Sequence, residues 1–86
     1  MHIREQIAGF LVNEPDLAPG RDAVEFDEPL IDGGLIDSMG ILKLIAFLEE
    51  AFDAVLDDDD ITAENFATIS TIAELVRARA ATAQAG

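Results

Sequence analysis

Side chains able to do chemistry are scarce in this chain, and the scarcity narrows what it can do. There is no Cys, one His at position 2, and Ser at only two positions, Ser38 and Ser70. Without Cys there is no disulfide framework, no thiolate zinc site and no thiol nucleophile. A single His cannot build a His-cluster metal site, and from position 2 it is an implausible base for a Ser-His-Asp triad. Ser70 reads as a cap at the start of the last helix. Ser38 is different, because it closes the run Ile31-Asp32-Gly33-Gly34-Leu35-Ile36-Asp37-Ser38-Met39-Gly40. A glycine turn followed by a long apolar pattern puts Ser38 at or beside a helix N-terminus. Unpaired N–H groups and a partial positive charge there stabilise an attached or bound phosphate. From position alone, the plainer reading is that Ser38 merely caps the helix.

The elements that must position this serine are helical. Residues 2–13 form an amphipathic pattern, with Ile3, Ile7, Phe10 and Leu11 on one face and Arg4, Glu5 and Gln6 on the other. Pro15 and Pro19 stop it. Residues 14–37 are a long connection holding Pro29, Gly20, Gly33 and Gly34, and a connection of this length is usually functional or flexible. Phe26, Leu30, Ile31, Leu35 and Ile36 should pin it to the core. Residues 38–55 give the strongest helical signal, with Asp37 or Ser38 as N-cap. On a wheel of roughly 100° per residue, Ile41, Leu44, Ile45, Ala51, Phe52 and Val55 fall within about 60° of Leu48 and form the expected core face. The run Asp57–Asp60 ends that region as a solvated acidic turn. A short helix or turn is expected near residues 62–66. A last helix is expected from Ile72 to Ala80, with Thr71 and Glu74 as a capping box. Ile72, Leu75 and Val76 form its buried stripe. Arg77 and Arg79 stand near its end, where the helix dipole favours cations. Residues 81–86 should fray. The expected fold is all-α, a small bundle of three main helices and one short helix with a long first loop.

Length and charge exclude further classes. Eighty-six residues make one domain with one small core. With 18 acidic and 5 basic residues, the net charge is −13. That charge argues against nucleic acid and against an anionic membrane surface. No apolar run reaches the roughly 20 residues of a membrane span, and no signal peptide is legible. The expected compartment is the cytoplasm. The acidic run fails as an EF-hand, because counting from Asp53 or from Asp57 puts no Gly at the sixth position. Beginning at Met1 and ending soon after the last helix, the chain reads as a free-standing protein, and a monomer is expected.

The back of the second helix carries a second signal. Met39, Leu42 and Ala46 point away from the core on the same wheel, beginning beside Ser38. An apolar stripe rimmed by Lys43, Glu49 and Glu50 is a candidate docking surface. The bland alternative is that the long loop covers it.

The run Gly34-Leu35-Ile36-Asp37-Ser38-Met39-Gly40, followed by Ile41-Leu42-Lys43-Leu44-Ile45, resembles the modification site of the acyl, peptidyl and aminoacyl carrier proteins. The order of elements over residues 3–80 resembles theirs as well. In that family an Asp-Ser-Leu or Asp-Ser-Met triplet opens the second helix, and the Ser receives 4′-phosphopantetheine from coenzyme A. The resemblance implies a carrier and not an enzyme, with the prosthetic group on Ser38 supplying the thiol that the chain lacks. A cargo would ride on that thiol as a thioester. A phosphopantetheinyl transferase would supply the base, and Asp37 would assist its recognition or its metal ion. An acyl- or aminoacyl-loading ligase and a downstream transferase or synthase are the other implied partners. Met39, Leu42, Lys43 and Ala46 would lie at their docking surface, and Glu49 and Glu50 would meet their basic patches. The fatty-acid type has an acidic pair just after the Ser, where this chain has Gly40 and Lys43. The Asp-Ser-Met-Gly string is more similar to D-alanyl or aminoacyl carriers and to discrete carriers of polyketide or nonribosomal peptide pathways. The rival reading is an acidic helical adaptor that binds a basic partner through Met39 and Leu42 without a prosthetic group.

Overall fold

A computed structural model describes residues 3–14, 17 and 23–85. His2, Pro15, Pro19, Gly20 and Gly86 lie outside the described residues. The architecture is all-helical. Helix α1 spans Ile3–Asn13, α2 spans Ser38–Phe52 and α3 spans Ile69–Ala85, with one 3-10 turn at Asp58–Asp60. No strand occurs among the described residues.

Each helix buries a stripe at helical spacing. These are Ile3, Ile7 and Leu11 in α1, Leu44, Leu48 and Phe52 in α2, and Ile69, Ile72, Ala73 and Val76 in α3. The long connection contributes Leu17, Val24, Leu30 and Ile36 to the same core, while Phe26, Ile31 and Leu35 pack partly against it. Its apolar residues therefore pin it as expected. Its backbone is also tied to the last helix region, since Leu30 N–H donates to the Ala67 carbonyl at 2.9 Å and Ser70 N–H to that of Phe26 at 2.9 Å. Helices α1 and α2 run antiparallel. Phe10 stacks on Phe47 with centroids 4.3 Å apart, Glu14 meets Lys43 at 3.7 Å, and Leu17 lies against Gly40.

Several expectations are corrected. Helix α2 stops at Phe52 because Asp53 takes the left-handed conformation, φ 54°. Val55, beyond that break, no longer follows the helical wheel and is 67% exposed. Ala51, at the edge of the wheel's core sector, is exposed too. The turn expected near residues 62–66 is present at 63–66, and a 3-10 turn that was not expected forms within the aspartate run, at Asp58–Asp60. Helix α3 begins at Ile69 instead of Ile72 and runs to Ala85 instead of Ala80. Thr68, not Thr71, is its cap. Thr71 N–H donates to Thr68 Oγ1 at 3.2 Å, and Thr68 N–H to Thr71 Oγ1 at 3.1 Å. This is the reciprocal arrangement of a capping box with Thr in place of Glu. Ser70 therefore lies inside the helix and caps nothing. Arg77 and Arg79 lie mid-helix, so the C-terminal dipole does not explain them.

Nor is the aspartate run uniformly solvated. Asp60 is buried, with its carboxylate held by both Nε and Nη2 of Arg79 and by the Asp57 N–H at 3.0 Å. Asn65 Nδ2 donates to the Asp60 carbonyl at 2.8 Å. The bond from Arg79, and then that from Asp57 N–H, hold the Asp60 carboxyl below its ordinary pKa; the same pairing raises that of Arg79.

Candidate functional site

The site is built by the turn that enters α2. Gly34 takes φ +77°, a left-handed backbone that side chains disfavour. The chain then turns through Leu35 and Ile36, whose N–H groups both donate to the Leu30 carbonyl, at 2.9 and 3.3 Å. Ile36 is buried, and that anchors the next residue. Asp37 is extended and caps the helix, its Oδ1 accepting the Gly40 N–H at 2.9 Å while its carbonyl accepts the Ile41 N–H at 2.9 Å. The choice between Asp37 and Ser38 as cap is thereby decided for Asp37.

Ser38 is the first residue of the helix and is exposed. Among the described residues its hydroxyl makes no hydrogen bond. It is an unengaged alcohol at the positive end of a 15-residue helix. Helix geometry gives the N–H groups of Ser38 and Met39 no acceptor within the helix, so they remain to meet an anion. Gly40 is buried, and a Cβ there would collide with the Leu17 side chain. The position that carries an acid in the fatty-acid type thus faces inward here and holds the first loop against α2.

The outward stripe is uncovered. Met39 is 66% and Leu42 62% exposed, and Ala46, Glu49 and Glu50 are exposed as well. Lys43, beside this stripe, is half-buried and reaches Glu14, just past the end of α1, at 3.7 Å. Val55 and Ile61 are further exposed apolar residues that sequence patterning missed. In the sequence, Asp53, a poor helix former just before Val55, is the signal that marks the end of the helical pattern. No group of three or more His, Cys, Asp or Glu side chains among the described residues could hold a metal ion.

The family model described as the phosphopantetheine attachment site matches residues 17–78. The chain belongs to that carrier family. No curated protein matches it. Domains of this family carry covalent 4′-phosphopantetheine, are modified by a phosphopantetheinyl transferase and serve partner enzymes as carriers. The residues of this carrier domain fit the group. An exposed hydroxyl free of any cap is open to modification, and a helix N-terminus accommodates the phosphate charge. No helix among the described residues is long and apolar enough to cross a membrane.

Proposed function

We propose that the domain carries an acyl or aminoacyl group as a thioester on phosphopantetheine attached to Ser38. The observation that carries this reading is the division of labour at the start of α2, where Asp37 caps and Ser38 is left exposed and unbonded. The prosthetic group supplies the thiol that the chain lacks, at the end of a flexible arm. Ser38 needs no base of its own, since the transferase provides one. The N–H groups at the helix start offset the phosphate charge beside the Asp37 carboxylate. Asp37 assists the transferase while holding the helix end. Met39, Leu42 and Ala46 form the apolar docking line, and Glu49 and Glu50 steer basic partners to it. With Gly40 turned inward and Lys43 drawn to Glu14, the acidic pair of fatty-acid carriers has no counterpart. That favours a dedicated aminoacyl, polyketide or peptide pathway, loaded by its own ligase.

Intact-mass analysis after incubation with coenzyme A and a broad-specificity phosphopantetheinyl transferase tests the attachment. One phosphopantetheine is expected on the wild type and on Ser70→Ala, and none on Ser38→Ala. An unmodified wild type would return the domain to the adaptor reading.

A further inference from the structure

Among the described residues of this acidic chain, two basic side chains have no carboxylate partner. Lys43 pairs with Glu14 and Arg79 with Asp60. Arg4 and Arg77 form no ion pair among the described residues, although the chain holds 18 acidic residues. Both instead line one cleft of about 280 Å³, together with Ser70, Ala73 and Glu74. That volume is near the lower end of small-molecule sites, roughly 300 Å³.

The cleft lies between the start of α1 and the first half of α3. Ser70, Ala73, Glu74 and Arg77 recur at i, i+3, i+4 and i+7, one face of a helix. Phe26, from the long connection, fixes two of the participants. Its ring lies under the Arg4 guanidinium, 5.2 Å from Cζ to centroid, and its carbonyl accepts the Ser70 N–H at 2.9 Å. Arg4 is therefore held by a cation–π contact and Ser70 by the backbone. Two arginines that line one hollow carry like charges, and an anion bound between them would offset the repulsion of those charges. Their planar forks match oxyanion geometry, and the Ser70 hydroxyl adds a donor. The net charge of −13 opposes an anion at long range, but screening at physiological salt limits that to about 8 Å. Among the described residues, Glu74 is the one opposing charge that lines the cleft.

We propose that this cleft binds a small phosphate-class oxyanion through the guanidiniums of Arg4 and Arg77 and the Ser70 hydroxyl. The site is independent of the attachment at Ser38.

The test is a titration of the apo protein with inorganic phosphate, followed by amide NMR against sodium chloride of equal ionic strength. Saturable shifts are expected at Ser70, Ala73 and Glu74. Arg4→Gln or Arg77→Gln should raise the midpoint at least about fivefold, the loss of one charged hydrogen bond. Glu74→Gln should lower the midpoint, a gain that misfolding cannot imitate. Adenosine monophosphate in parallel identifies the source. A lower midpoint than phosphate marks a nucleotide's phosphate, an equal one marks the free ion, and each supports the site. Non-saturating shifts, shifts reproduced by chloride, or shifts that persist in the Arg4→Gln/Arg77→Gln double variant overturn the proposal. So does a Glu74→Gln midpoint no lower than that of the wild type.

Discussion

Asp37 and Gly40 are joined across the first turn of α2, Asp37 Oδ1 accepting the Gly40 N–H at 2.9 Å. The bond completes the helix end with the residue before the serine. Asp37 can therefore be altered to separate the cap from any role toward the transferase. Asp37→Ala should cost about 0.5–2 kcal/mol in urea unfolding, the usual loss for a side-chain cap. Asp37→Asn keeps a cap acceptor and should unfold within a few tenths of a kcal/mol of wild type. If the carboxylate serves the transferase, Asp37→Asn should still be modified more slowly than wild type. Equal rates for the two would confine Asp37 to the cap.

Gly40 lies where a Cβ would run into Leu17. Ala is ordinarily better than Gly within a helix by about 1 kcal/mol. Gly40→Ala should nonetheless be destabilising, by about 1 kcal/mol, because overpacking forces Leu17 and Ile36 to shift. Combined with Leu17→Ala, the two changes should cost less than the sum of their separate effects. Strict additivity in a denaturation cycle would contradict the contact.

Met39 and Leu42 are more than half exposed. Met39→Asp and Leu42→Asp should leave stability within about 0.5 kcal/mol of wild type, as surface changes do. Transfer of cargo by a cognate partner enzyme should fall in both, with the attachment of phosphopantetheine retained. A large loss of stability in either variant would place that side chain in the core instead.

Asp60 is tied to Arg79 and its carboxyl is held below the ordinary range. A group whose folded pKa is depressed contributes stability above its unfolded value, about 3.9 for Asp, and loses it as pH falls through the folded value. Asp60→Asn should therefore unfold at lower urea than wild type at pH 7. The gap should narrow as pH drops below about 4. Comparing the two proteins at each pH cancels the relief of self-repulsion that acid gives both. A gap that stayed constant down to pH 2 would rule the carboxylate out as its cause.

What could be read along the chain was what is decided locally. The three helical stripes follow from spacing, and the serine with its aspartate follows from a glycine turn meeting an apolar run. A helix start is set by residues within one turn of each other, so its signals lie close together in sequence. Spacing alone also admits choices that the packed chain does not make. Thr71–Glu74 has the same spacing as the box that Thr68–Thr71 forms, and the wheel through Leu48 continues past Asp53 to Val55, where the helix does not.

Other features depend on residues far apart along the chain. Asp60 looks like its three neighbours until α3 brings Arg79 beside it from 19 residues away. Gly40 reads as a weak helix position until the first loop lays Leu17 against it. Whether the Met39 and Leu42 stripe was covered depended on the path of that loop. The convergence of Arg4 and Arg77 depended on α1 packing on α3. Charge pairing, close approach and exposure are properties of distances in space, and only the packed fold sets those distances. Residue type and spacing limit which side chains can cap, react or pack; the folded arrangement sets the neighbours that each of them meets.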